Sequence, residues 1–339
     1  GQFTTAMLDQ FTTAALDQFT QAVLDQFTVA SLDQFMQSIL DSFDVVFFEQ
    51  LLIATLDSVY GDKARSQDAL SVITADAAHA IGTGQDVVVA VVDTGITDHW
   101  FFKGKIAPGG FDFVDGDDQP YDVANGFDEN GNGTADEGWG HGTHVSGIVS
   151  LVAPDAKIMP IRVQDAEGDG WSFIVAEAVQ YATDNGAHVI NLSLEVPCES
   201  LVMEWAVNYA HERGVIVVAA AGNENQPEVA YPAAYADTVA VAAVDNSDIK
   251  APFSNFGSGV TVSAPGVNIY STYGNGLFAW WSGTSQSAPI ISGEAALVVS
   301  AYPWLTADEV SAIVADSAVD IDSLNPGFEG LLGSGRGDL

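Results

Sequence analysis

Five stretches of the chain are almost continuously apolar and rich in β-branched residues. They are DVVVAVVDTG (86–95), KIMPIRV (157–163), HVINLSL (188–194), GVIVVAAAGN (214–223) and TVAVAAV (238–244). A strand with one wet face alternates apolar and polar residues, whereas an unbroken run implies burial on both faces. Amphipathic, helix-like stretches fall near 141–152, 171–185, 199–213, 284–302 and 306–316. This order predicts an α/β fold, a mostly parallel sheet sandwiched between helices in three layers. In such sheets ligands and chemistry gather at the carboxyl ends of the strands, so the polar residues that close the apolar runs carry the most information.

The first 43 residues follow a different period. QFTTAMLD, QFTTAALD, QFTQAVLD, QFTVASLD and QFMQSILD repeat every eight residues, with Phe at 3, 11, 19, 27, 35 and 43. No Gly or Pro occurs from 2 to 60, and the composition favours helix. Eight residues overshoot two helical turns by about 80°, so the Phe positions wind around the helix without forming one stripe. The expected organisation is an octapeptide-repeat, helical segment with its linker over 1–65, then one domain over 66–339. The repeat reads as a stalk or spacer, a propeptide remnant, or a translated repeat without a function of its own. The chain opens at Gly1 and stops in GSGRGDL, so a fragment truncated at its C-terminal end is expected.

Composition narrows the partners. Against 46 acidic residues stand only 9 basic ones, a formal net charge of −37, which repels nucleic acid and anionic membrane surfaces. The same charge attracts cations and basic substrates, and it also suits simple solubility. At 47% hydrophobic residues a sizeable core is expected, and no apolar run reaches the length of a membrane span. Cys198 is the single cysteine, so no intrachain disulfide can form.

Asp93 closes the most apolar run, where an unpartnered carboxylate would be costly to desolvate. In WGHGTHVSG, His141 and His144 stand three apart at a helix start, a spacing open to a metal pair, a base beside a bystander, or two core residues. Ser285 lies at a loop-to-helix junction in WSGTSQSAP, with Pro289 expected in the first turn. Small neighbours and a helix N-terminus there suit a nucleophile beside a developing oxyanion. Asn223 ends another apolar run and offers a side-chain amide.

The segments VAVVDTGI, HGTHVSGIV, INLSL, VVAAAGN, YPAAY, FSNFG, APGVNIYST and SGTSQSAP, in this order over about 85–300, resemble the subtilases, the subtilisin-like serine proteases. The order Asp, His, Ser is the family's own. The resemblance implies a serine endopeptidase that works through an acyl-enzyme: Asp93 orients His141, His141 acts as base and then acid, and Ser285 attacks. Asn223 and the Ser285 amide would form the oxyanion hole. His144 then becomes a packed bystander. The rival reading is a catalytically silent subtilase fold used for binding. The expected partner is a polypeptide substrate and the expected protein a monomer, secreted or at the cell surface.

The resemblance also places an extended substrate between Gly168 and Gly170 on one side and Ser193, Leu194 and Glu195 on the other. Trp171 would wall a distal pocket or pack in the core. Two departures stand out: Gln286 follows the nucleophile where the family has Met, and Glu195 stands where it has Gly. With Asp165, Glu167 and Asp169, Glu195 would make the cleft electronegative and favour Lys or Arg near the scissile bond. DENGNGTADEG (128–138) places Asp128, Asn130, Asn132 and Asp136 around a turn glycine, which suggests a structural Ca²⁺ loop. An EF-hand would need Glu at the twelfth position, held here by Trp139, and insertions at this place often bind Ca²⁺ in the family.

Overall fold

A computed structural model describes residues 52–196 and 198–338. The octapeptide repeat expected to be helical lies outside the described residues. The chain divides into units Gly1–Leu56 and Asp57–Leu339, and the second carries all that follows.

Seven parallel strands form its sheet in the order β2-β3-β1-β4-β5-β6-β7. They are β1 (Val88–Asp93), β2 (Phe111–Asp112), β3 (Lys157–Arg162), β4 (Val189–Leu192), β5 (Ile216–Ala220), β6 (Thr238–Val244) and β7 (Val262–Pro265). An antiparallel hairpin, β8 (Ile269–Tyr273) with β9 (Leu277–Trp281), stands apart from the sheet. Five longer helices complete the fold: α1 (His141–Val152), α2 (Ser172–Asp184), α3 (Leu201–His211), α4 (Thr284–Ala301) and α5 (Ala307–Asp316). All five apolar runs became strands and all five helical stretches became helices. The sequence reading omitted β2, β7 and the hairpin, which are short or mix polar residues into their pattern.

The pleat explains the unbroken runs. Val89 and Val91 of β1 enter the core beneath α1, α4 and α5, whereas Ala90 and Val92 enter the core beneath α2 and α3. Ile216, Val218 and Ala220 of β5 face the first layer, and Val217 and Ala219 the second. Each strand residue therefore finds an apolar neighbour whichever way it points, as a doubly covered sheet demands. Asp93 continues the odd-numbered series toward α1, and that parity sets the site.

Pro289 is the sixth residue of α4, in its second turn, and not in the first as the sequence suggested. A proline there removes the N–H that would bond the carbonyl four residues earlier, that of Ser285. The Ser193 hydroxyl replaces it, donating to the Ser285 carbonyl at 2.9 Å.

α1 and α4 pack closely because Gly293 has no side chain: a Cβ there would lie 2.6 Å from Cβ of Val152. In an open helix Gly→Ala stabilises by about 1 kcal/mol. Here Gly293→Ala is expected to destabilise by about 1–3 kcal/mol through overpacking. Urea unfolding should show a lower midpoint at unchanged slope, and a raised midpoint would contradict the packing described.

Candidate active site

Asp93 is fully buried at the end of β1, and its Oδ1 lies 2.7 Å from Nδ1 of His141. The Thr94 amide donates to the same oxygen at 2.8 Å. His141 opens α1, and two glycines let it approach. A Cβ at Gly142 would sit 2.2 Å from the Gly95 carbonyl, and one at Gly140 would strike the Tyr273 ring. Gly140 also takes a φ of +86°, which favours glycine.

Asp122 locks this arrangement, and the sequence reading overlooked it. Its Oδ2 accepts from the Gly140 amide at 2.7 Å and from the Thr94 hydroxyl at 2.9 Å, while Thr94 Oγ1 accepts from the Gly142 amide at 3.0 Å. A single buried carboxylate thus holds the residue after Asp93 and the residue before His141. Burial pushes its pKa up to about 7, with the Asp93 charge adding and the two hydrogen bonds opposing. The only sequence signal was one Asp among six acidic residues between Asp115 and Glu129.

For His141, burial works against the charged ring, but the charge and hydrogen bond of Asp93, with Asp122 adding, outweigh it and hold the pKa above its ordinary value. His144 is fully buried, with Nε2 3.2 Å from the Ala279 carbonyl and its ring stacked on Trp281 at 5.0 Å. Burial lowers its pKa to about 3, so it is a neutral packed ring.

Ser285 is the second residue of α4, and its hydroxyl donates to the Ser193 carbonyl at 3.2 Å. From β4, Asn191 anchors both partners: it donates to Ser193 Oγ at 2.9 Å and accepts from Ser292 of α4 at 2.9 Å. Asn223 stands in the loop after β5. Its side-chain oxygen accepts from the Thr284 amide at 2.9 Å and hydroxyl at 3.1 Å, which identifies the other end as the NH₂ donor. Asn255, in FSNFG, shapes that loop by accepting from the Glu224 and Gln226 amides at 3.1 and 2.9 Å. Asp93, His141, Ser285 and Asn223 therefore lie at the carboxyl edge of the sheet and the first turns of α1 and α4.

Gly168 donates its amide to the Asp165 carbonyl at 3.1 Å, and Gly170 bridges antiparallel to Gln164. Ser193 and Leu194 are buried, Leu194 within the core under α2 and α3, while Glu195 is exposed. Burial, then the neighbouring Glu224, raises the Glu195 pKa. Glu167 turns inward: it is 7% exposed and accepts the Asp136 amide at 2.7 Å, tying the 128–138 loop to its neighbour. Trp171 is 72% exposed, so it is not a core residue, and it lines a cavity of about 570 Å³ with Phe113 and Ile174.

In the 128–138 loop, Asp128 accepts the Gly131, Asn132 and Gly133 amides at 2.7, 3.0 and 2.8 Å. Asp136 accepts those of Asn125 and Gly126 at 2.7 and 2.9 Å. Asn130 accepts the Asn132 amide at 3.1 Å, and Asn132 contacts Glu137. The all-oxygen donor set suits a hard cation. Among the described residues, however, no three Asp, Glu, His or Cys side chains converge as ligands.

The family model described as the Subtilase family matches residues 84–335. Subtilisin BL of Lederbergia lenta is 38% identical over 276 residues, covering 78% of this chain and 94% of that protein. Thermitase of Thermoactinomyces vulgaris is 42% identical over 239 residues, covering 67% and 80%. Among solved structures, a protease from Pseudoalteromonas arctica PAMC 21717 superposes with a TM-score of 0.71 at 31% identity, over 78% of this chain and 91% of that one.

If Asp93 and Asp122 together raise the His141 pKa, Asp122→Asn should lower it and Asp93→Asn should lower it further. Histidine ring proton titration by NMR reads both. An unchanged His141 in the Asp122 variant would remove Asp122 from the account.

Proposed function

The chain belongs to the subtilase family of serine proteases, and from that premise we propose that Asp93, His141, Ser285 and Asn223 hydrolyse peptide bonds of extended polypeptides. The observation that carries the proposal is the 2.7 Å contact between a fully buried Asp93 and Nδ1 of His141, which leaves Nε2 as the basic atom. When substrate binds, the Ser285 hydroxyl leaves the Ser193 carbonyl for His141 Nε2, the tightening that catalytic hydrogen bonds undergo.

Ser285 Oγ attacks the scissile carbonyl carbon as His141 Nε2 takes its proton. The carbonyl oxygen becomes an oxyanion, met by the Asn223 NH₂ and by the Ser285 amide, which lies in the first turn of α4 where N–H groups have no partner within the helix. His141 passes the proton to the leaving amine as the C–N bond breaks. Water then enters, gives its proton to His141, and releases the acyl group from Ser285. A catalytically silent fold has no chemical reason to keep all four groups in register.

Glu195 and Glu224, coupled at the exposed loops after β4 and β5, together with Asp165 and Asp169 of the loop after β3, favour peptides with Lys or Arg near the scissile bond. Secretion or surface display completes the reading; no helix among the described residues is long and apolar enough to cross a membrane.

Ser285→Ala is expected to abolish peptidase activity. Asn223→Ala should lower kcat by about 10²–10³ with KM little changed, the effect of losing one oxyanion donor. Because only neutral His141 accepts a proton and its pKa is raised, kcat/KM should rise with pH through a midpoint above about 6.5. Unchanged turnover in the Ser285 variant would overturn the assignment.

Ca²⁺ held by Asp128, Asn130, Asn132 and Asp136 would stabilise the loop ahead of His141 by mass action. Millimolar Ca²⁺ should then raise the thermal midpoint, and Asp128→Ala with Asp136→Ala should erase the rise. Equal protection by Na⁺ at matched ionic strength would reduce the effect to screening.

A further inference from the structure

A cavity of about 140 Å³ lies between α4, α5 and the segment 78–82, remote in function from the groups that do the chemistry. Leu297 and Val298 of α4 and Ile313 and Val314 of α5 form apolar walls, and among the described residues the only acidic side chains lining it are Glu294 and Asp338. Ile81 is 72% exposed and Tyr302 43%, so the mouth opens to solvent.

Glu294 is the anomaly. It is 1% exposed, and neither carboxylate oxygen has a hydrogen-bond partner among the described residues. Arg336, whose charge acts on Glu294, is committed elsewhere: it donates to Asp248 at 2.8 Å, to the Gly337 carbonyl at 2.8 Å and to Asp338 at 3.3 Å. The backbone passes close by at Gly337, where a Cβ would lie 2.7 Å from Oε2, yet the Gly337 amide donates to Ser263. Burial pushes the Glu294 pKa up to about 8, with Asp338 adding and Arg336 opposing. No charged side chain of α5 or of 78–82 lines the cavity. Ser285 lies two and a half turns earlier on α4, and hydrolysis makes no use of Glu294. An unpaired buried carboxylate in an apolar cavity is costly unless something pairs with it.

We propose that this cavity binds a small amphipathic cation, an ammonium group on a hydrocarbon of about benzene's size. The ammonium pairs with Glu294 beside Asp338, and the hydrocarbon fills the space between α4 and α5. The volume matches the ligand, since an apolar cavity of about 150 Å³ takes up benzene. The charge selects it as well: an anion meets two carboxylates, and a neutral guest leaves Glu294 unpaired.

Calorimetric titration of the full chain carrying Ser285→Ala, which prevents self-digestion, tests the proposal at pH 9, where Glu294 is ionised. Cyclohexylammonium, cyclohexanol and cyclohexanecarboxylate serve as probes of one shape and three charges. The cation should bind at least tenfold more tightly than the alcohol, and the carboxylate should not bind. Glu294→Gln should bring the cation down to the affinity of the alcohol. Ile313→Phe, which fills the cavity and leaves Glu294 alone, should abolish binding of both. Equal affinity of cation and alcohol in the parent chain, or cation binding unchanged in either variant, would overturn it.

Discussion

The site is organised around a carboxylate that has no access to water. Asp93 ends a strand buried on both faces, and its Oδ1 is stabilised by the Thr94 amide and by His141 Nδ1. A buried charge of this kind persists only with such donors around it. That requirement propagates outward. α1 must begin where His141 reaches Asp93, which forces Gly140 and Gly142 through spaces that admit no side chain. Asp122 then fastens the start of α1 to Thr94 with a second buried carboxylate. Two acids this close to one imidazole raise its basicity, so the same contacts that fix the geometry also set the proton affinity.

The other half of the site depends on α4 entering at one position. Pro289 deprives the Ser285 carbonyl of its helical partner, Ser193 restores one, and Asn191 holds Ser193 while gripping Ser292 a few turns along the helix. The end of β4 and the residue after it therefore position Ser285 and α4 through three hydrogen bonds. Thr284 sets the face that Asn223 presents, because both of its donors occupy the side-chain oxygen. Such supporting contacts hold reactive groups within the narrow tolerance that catalysis requires.

The apolar runs of β1, β3, β4, β5 and β6 were legible because a doubly covered sheet leaves no polar alternation to confuse the pattern. The positions of Asp93, His141, Ser285 and Asn223 at strand ends and helix starts were legible because each closes an apolar run or opens a helix beside glycines. Asp122 was not, since its role depends on a return of the chain between β2 and α1 that no local period encodes. Glu167 misled for the opposite reason: an acid in a cleft-forming loop turned inward to cap the Asp136 amide. Pro289 was displaced by one turn because the hydroxyl that rescues the Ser285 carbonyl comes from Ser193, far away in sequence. Glu294 sits among apolar helix residues, and only the fold reveals that nothing pairs with it.

The central claim is that the Asp93–His141 contact makes one serine hydroxyl nucleophilic. Reaction with a serine-directed phosphonate, followed by mass-spectrometric mapping of the adduct, tests it most directly. A single adduct on Ser285, formed at a rate that follows the deprotonation of His141, is the predicted result. An adduct on another serine, or peptidase activity that survives full modification of Ser285, would contradict it.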